Sequence, residues 1–171
     1  MKNALTFALA GIVAMLLASS GCKKSDDSTN PSGGGPASGT GSFTLNGAGF
    51  TNQTFSVGDM MGGFSVSDNM SVVIGSTADT IVIAVAFPGS TTGTFPFSND
   101  AGVIITSGTG IGESSLISGD GNGQVVVTAY GNVGGNITGT FSGRLYVYTN
   151  AGMDSAQVTN GSFNAVRIAN Q

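Results

Sequence analysis

The chain of 171 residues is 40% hydrophobic but only 8% charged, and its net charge at pH 7 is −4. This balance disfavours a nucleic-acid partner, which requires a basic surface. One cysteine and no histidine exclude an intramolecular disulfide, a Cys/His zinc site and histidine-based catalysis. The sequence indicates no cofactor.

The N-terminus has the pattern of an export signal. Lys2 is followed by an apolar run at residues 4–18, which is 15 residues long and interrupted by a single threonine. This length suits the core of a signal peptide and is short of the roughly 20 residues that a membrane-spanning helix needs. The small residues Ser19, Ser20 and Gly21 then lead to Cys22.

The arrangement resembles a bacterial lipoprotein signal, in which the cysteine is lipidated and becomes the mature N-terminus. Ser19 lies three residues before the cysteine, where such signals usually have Leu or a similar apolar residue. Lipoprotein signals that depart from the usual motif in this way are familiar in Bacteroidota. The stretch Cys22-Lys23-Lys24-Ser25-Asp26-Asp27 also resembles the lipoproteins of that phylum. In those proteins, a stretch rich in Lys and Asp directly after the cysteine resembles a surface-export signal. The resemblance implies a signal peptide at residues 1–21, acyl chains such as palmitate on Cys22, and a lipid anchor in the cell envelope, at either face of the outer membrane. An ordinary cleaved signal peptide and an uncleaved anchor are the alternatives.

Residues 22–41 are rich in Ser, Gly, Pro and charge and lack apolar periodicity, which predicts a flexible linker. We place the folded domain at residues 42–171. Its glycine-rich turns and short apolar segments predict about nine β-strands and no helix. The predicted strands cover residues 43–45, 50–57, 60–64, 71–74, 80–87, 93–97, 103–106, 115–118, 124–130, 136–149 and 156–168.

Three strands carry specific expectations. Residues 80–87 are apolar at both alternating sets of positions, which predicts a central strand buried on both faces. Residues 136–149 alternate, so that Ile137, Gly139, Phe141, Gly143, Leu145 and Val147 should face the core. Residues 156–168 should pair with that strand around a one-residue bulge at Asn160-Gly161, with Gly161 in the left-handed region.

These features predict an all-β fold, an antiparallel β-sandwich, with a closed antiparallel β-barrel as the alternative. The strand order resembles a family of uncharacterised Bacteroidota lipoproteins with a single all-β domain. The matching residues are Asn46-Gly47, Gly93-Thr94-Phe95, Gly139-Thr140-Phe141 and Asn160-Gly161-Ser162-Phe163. The resemblance implies a fold and a location, and no catalytic site.

The candidate ligand-binding residues are Arg144, Tyr146 and Tyr148, which share the polar face of one strand. Cross-strand packing is the alternative interpretation of these side chains. Ser28 and Ser155 lie in Asp-Ser-Thr and Asp-Ser-Ala sequences that resemble an O-glycosylation motif of Bacteroidota. Asp120-Gly121-Asn122 has the start of a calcium loop but no acidic residue follows it, so we interpret it as a turn and predict no metal site.

The function predicted from sequence is that of a membrane-anchored cell-envelope lipoprotein with a binding or structural β domain. Its expected partners are the membrane, through the N-terminal lipid, and a glycan or a protein. The alternatives are a small glycan-directed hydrolase using a carboxylate pair and a subunit of a larger envelope assembly. No residue is singled out as catalytic.

Overall fold

A computed structural model describes residues 39–78, 81–107, 115–149 and 152–171, apart from the side chains of Ser107 and Asp120. Cys22, Ser28, the predicted signal peptide and most of the predicted linker lie outside the described residues. Nine strands and no helix are found within them. The strands are β1 (Gly39–Gly47), β2 (Phe50–Ser65), β3 (Met70–Ser76), β4 (Ile81–Pro88), β5 (Gly93–Pro96), β6 (Gly102–Ser107), β7 (Leu116–Tyr130), β8 (Asn136–Thr149) and β9 (Gly152–Arg167).

The strands form one continuous sheet that closes on itself. Pairing runs through β1, β2, β3, β4, β6, β7, β8 and β9 and returns to β1. All pairs are antiparallel except a short contact between β2 and β9 beyond the start of β1. The predicted all-β class and strand number are confirmed. The sheet is closed, as in the barrel alternative, while its interior is packed with side chains, as in a sandwich.

The strand β5 lies outside this ring. It pairs with the second half of β7, at Gln124 to Val127, whereas β6 pairs with the first half at Leu116 and Ile117. One edge of β7 is thus shared by two short strands, and its other edge is covered by β8. A free edge of only four residues that includes a proline is a poor template for pairing with another chain.

The alternation predicted for β8 is confirmed, since its even-spaced apolar and glycine positions are buried and the intervening ones are partly or fully exposed. The interior is dominated by phenylalanine rings. Phe43 stacks on Phe55 with centroids 5.0 Å apart, and Phe87 stacks on Phe95 at 5.8 Å. Burial of such rings is the main stabilising contribution in a domain of this size.

The outer surface also contains a buried apolar group, on the side formed by β3, β4 and β6. Met70, Val72, Ala84, Ala86 and Ile104 make up a second cluster, separate from the interior one. On β4, Ile83, Val85 and Phe87 face the interior, and the two alanines face outward. The predicted burial of both faces of this strand is confirmed.

Two strands are longer than predicted because bulges keep them continuous, and β9 begins at Gly152, four residues ahead of its predicted start at residue 156. Residues 60–64, predicted as a separate strand with a glycine kink, belong to β2, where the register with β3 shifts between Gly58 and Met61. The segments predicted at residues 115–118 and 124–130 are both part of β7, whose register with β8 shifts between Ser118 and Gly123. In addition, β1 begins at Gly39, ahead of the predicted domain start, since Gly39 already pairs with Met60.

The predicted bulge in β9 is confirmed, but its left-handed residue is Asn160 and not Gly161. The register with β8 shifts between the pairs Phe141–Gly161 and Gly143–Val158. Asn160 has a φ of 52°, a conformation that asparagine tolerates better than other non-glycine residues. Gly161 is required for another reason: a Cβ there would contact the ring and carbonyl oxygen of Phe141.

One end of the ring is closed by a polar network around Tyr130. The Tyr130 hydroxyl is 2.8 Å from the Oγ of fully buried Ser71, which in turn donates to the carbonyl of Gly89 at 2.6 Å. The Arg167 guanidinium lies 4.7 Å from the centre of the Tyr130 ring and donates to the carbonyl of Gly131. These bonds satisfy the buried hydroxyl of Ser71, which would otherwise be costly to bury, whereas Nε of Arg167 is buried without a hydrogen-bond partner.

Candidate ligand-binding surface

The outward positions of β8 bring the three predicted residues onto one surface. Arg144, Tyr146 and Tyr148 alternate with buried Leu145 and Val147. Alternate residues of a strand lie about 7 Å apart on the same face, so the three side chains form a row about 14 Å long. The sequence prediction that they share a face is confirmed. We call this row and its neighbours on β9 the β8 surface.

Tyr146 is the residue of the row that the fold holds most firmly. It is half-buried and pairs with Ile117 of β7 on one side and Ser155 of β9 on the other. Its ring lies where a Cβ of Gly119 would be, so the glycine is what allows the ring to pack against β7. Its hydroxyl accepts a hydrogen bond of 3.2 Å from the amide of Asn122. The ring is therefore fixed in orientation before any ligand arrives.

Tyr148 is the more exposed of the two tyrosines in the row. It is 69% exposed, and Met153, its direct partner on β9, is 62% exposed. An exposed aromatic ring beside an exposed thioether offers an apolar surface with a polar hydroxyl at its edge. Packing within the protein does not account for either side chain, because both remain mostly in solvent.

The remainder of the β8 surface is polar but nearly uncharged. Arg144 is exposed and lies opposite Gln157 of β9. Among the described residues, the outward positions of β8 and β9 carry Arg144 as their single charge, and Asp154, the partner of inward-facing Val147, is exposed beside them near the start of β9. The others are hydroxyl or amide side chains apart from Val166 and the residues already named. Several are linked across strands, as in the 2.7 Å bond from Asn136 to Asn164.

Three contributors to this surface were not predicted from the sequence: Met153, Gln157 and the supporting Gly119. The β9 residues follow from the register of the β8–β9 hairpin, in which Thr149 pairs with Gly152, and counting along both strands from that pair would have found them. Gly119 could not be found in this way, because its place under Tyr146 depends on the irregular register of β7.

Ser155, one of the two candidate O-glycosylation residues, lies beside Tyr146 on β9 and is half-buried. Its backbone N–H donates to the carboxylate of Asp154 at 2.7 Å. The other candidate, Ser28, lies outside the described residues. Modification of Ser155 therefore remains a prediction, and it would place a glycan directly on the β8 surface.

The described acidic side chains do not form a cluster. Asp59 is on β2, Asp68 follows it in the β2–β3 turn, Asp100 lies between β5 and β6, and Asp154 is on β9, all of them exposed. Within the described part of the chain, no group of three potential metal-ligating side chains is close enough to hold an ion.

Comparison with known proteins adds no relative: no family model, curated protein or solved structure matches this chain. The described residues include no helix long and apolar enough to cross a membrane.

Proposed function

We propose that this protein is a lipid-anchored cell-envelope lipoprotein whose β domain binds a neutral polysaccharide on the β8 surface. The observation that carries the binding proposal is the row Arg144, Tyr146 and Tyr148, in which one ring is held by Gly119 and Asn122 and the other is 69% exposed. A sugar ring presents apolar C–H groups on its faces and hydroxyls at its rim, which complements exposed aromatic rings surrounded by neutral polar side chains.

The charge of the surface supports a neutral ligand over an acidic or a nucleic one. A polymer of repeated negative charge is bound through several cations, and the outward described positions of β8 and β9 offer only Arg144. A single guanidinium with its fixed donors is suited to hydrogen bonding one or two ligand oxygens. The length of the row, about 14 Å from the strand spacing, suits an extended polymer better than a single sugar.

The anchoring part of the proposal is supported by the N-terminal sequence, where an apolar run is followed by Ser19-Ser20-Gly21-Cys22. Two or three acyl chains on one cysteine would hold the protein stably, because each buried methylene contributes about 0.8 kcal/mol. The residues after Cys22 would then act as a tether between membrane and domain.

The binding proposal is tested by electrophoresis of the protein through native gels containing soluble polysaccharides such as starch, xylan or a mixed-linkage β-glucan. At least one of them should retard the wild-type protein. The Tyr146→Ala/Tyr148→Ala variant should lose most of this retardation, and Arg144→Ala should weaken it severalfold. The matched control, Thr138→Ala/Thr140→Ala on the same strand face, should bind like the wild type. Equal loss in both double variants would contradict the assignment of the surface.

Anchoring is tested separately, by labelling with radioactive palmitate and by fractionation. The wild-type protein should incorporate the label and remain with membranes, and Cys22→Ala should lose the label. A labelled Cys22→Ala protein would contradict lipidation at this residue, whatever the outcome of the polysaccharide experiment.

A further inference from the structure

The outer apolar cluster on β3, β4 and β6 is more deeply buried than the surface of a one-layer sheet should be. Val72 is 5% exposed, Ala86 is fully buried and Ile104 is 6% exposed. Outward side chains elsewhere on the same ring are open, as Tyr148 shows. All described strands belong to one sheet, so no second described sheet packs on this side. Ile168 and Gln171 lie beside Met70 and Val72 at one end of the cluster, and the partly buried hydrophobic residues packed against it, Ile74 and Ile117, belong to the ring itself. The full burial of Ala86 therefore requires a further cover from the same chain.

The cluster has the shape of a trough. On the central strand β4, Ala84 lies between Ile74 of β3 and Ile104 of β6, and Ala86 lies between Val72 of β3 and Gly102 of β6. Alanines in this position let another element approach the sheet closely. At one end, beside Gly63, Val72 and Ile168, the surface continues into a hollow of about 40 Å³. A trough with an apolar floor fits a rod-like apolar segment.

We propose that this trough is the seat of the chain's own apolar run, residues 4–18, in the folded and uncleaved protein. Of the segments outside the described residues, those at 79–80, 108–114 and 150–151 contain only Ile111 and Ala151 as apolar residues. The run at residues 4–18 is apolar throughout apart from one threonine. As a helix it would be about 22 Å long, so only its middle part would lie over the roughly 10–14 Å spanned by three to four residue pairs of β3 and β4.

The segment that joins the apolar run to the domain is long enough for the run to reach the trough. Residues 19–38 can extend to roughly 66 Å, whereas a domain of this size is only about 30 Å across. The described chain begins at Gly39, which pairs with Met60 of β2. The next residue of β2, Met61, pairs with Ile74 at the rim of the outer cluster. The N-terminal segment thus enters the domain one strand away from the trough.

The consequence is that the uncleaved chain and a chain cleaved before Cys22 present different surfaces. In the first the trough is occupied by the apolar run, and in the second it is free to contact another molecule. The inference does not depend on the polysaccharide or on lipidation, because it concerns the full chain before any processing.

The test is photo-crosslinking of the full chain carrying Cys22→Ser, made by cell-free synthesis without membranes or detergent. A benzophenone amino acid replaces Ile74 at the rim of the trough, or Ile117 in a second protein, in case one position disturbs folding. Trypsin cleaves after Lys2, Lys23 and Lys24 and next after Arg144. It therefore separates residues 3–23, with the whole apolar run, from residues 25–144, with both probes.

The expected result is a monomer in which residues 3–23 are crosslinked to residues 25–144. The crosslink should fall at least tenfold in the Val13→Asp/Leu16→Asp variant and should be absent when the probe replaces Thr140 on β8. Crosslinks confined to residues 25–144, a crosslinked dimer, or no crosslink from either probe would overturn the proposal. The dimer would assign the trough to a second copy of the chain instead.

Discussion

Gly139 shows at the level of one residue how tightly the interior is filled. It faces inward on β8, and a Cβ at this position would contact the carbonyl oxygen of Val126 and the ring of Phe163. The backbone of β7 and the ring therefore occupy the space that a side chain would need. Gly58 on β2 is a natural control, because a Cβ there would meet nothing within 4 Å.

We expect Gly139→Ala to destabilise the fold by about 2 kcal/mol, as is typical of overpacking, and to lower the melting temperature by roughly 4–8 °C. Gly58→Ala should change the free energy of unfolding by less than about 0.5 kcal/mol. Thermal unfolding followed by circular dichroism measures both. A Gly139→Ala protein as stable as Gly58→Ala would show that this interior can relax.

Tyr130 makes a second prediction at the same scale. Its hydroxyl bonds to the fully buried Ser71, so Tyr130→Phe should cost about 1 kcal/mol, the usual net value of one hydrogen bond. Tyr148→Phe removes the hydroxyl of a side chain that is 69% exposed and should leave the free energy of unfolding unchanged. Urea unfolding of the two variants provides the comparison, and equal stabilities would argue against the bond closing this end of the ring.

Among the elements, β9 shows where sequence reasoning succeeds and where it stops. The length of the hairpin and the shifted apolar parity were enough to predict a one-residue bulge at Asn160-Gly161. They assigned the left-handed conformation to the glycine, since glycine adopts it most easily. The structure gives it to Asn160, because Gly161 is already needed for the close approach of Phe141. That contact lies across the sheet and leaves no local trace in the sequence.

This assignment predicts opposite effects of two substitutions at Asn160. Asn160→Gly should keep or slightly raise stability, because glycine adopts a φ of 52° without strain. Asn160→Val should lower the free energy of unfolding by about 1–3 kcal/mol, because a β-branched residue is strained there. The measurement is the denaturant midpoint of unfolding of both variants and of the wild-type protein. If valine were tolerated and glycine were harmful, Asn160 would not be the left-handed residue in solution.

In the other strands too, features that follow from a local sequence pattern were predictable, and features that depend on pairing across the sheet were not. The inward set of β8 was predictable because alternation is a local pattern, and Arg144, Tyr146 and Tyr148 followed from it. The continuity of β2 and β7 was not, since irregular registers at Gly58 and Ser118 absorb extra residues that the sequence presents as breaks. The sequence also did not show that β7 pairs with β8, which is the pairing that closes the sheet, and so it could not decide between a sandwich and a barrel.

On the scale of the whole molecule, the closed sheet has two different outer sides. The side of β3, β4 and β6 is apolar and buried, and that of β8 and β9 is polar, nearly neutral and exposed. The composition already shows few charges and many hydroxyl and amide side chains. Which strands carry each side could be seen only once their order around the ring was known. The proposed ligand surface and the proposed seat of residues 4–18 lie on these two sides.

The central claim, that the β8 surface binds a polysaccharide through its tyrosines, can be read from the protein's own fluorescence. The chain has no tryptophan and only three tyrosines, so Tyr130→Phe leaves Tyr146 and Tyr148 as the sole emitters. Titration of this variant with the polysaccharide that retards the protein in native gels should change the tyrosine emission in a saturable way, at the concentration where retardation is half-maximal. Retardation with unchanged tyrosine emission would contradict the claim and move the binding surface elsewhere.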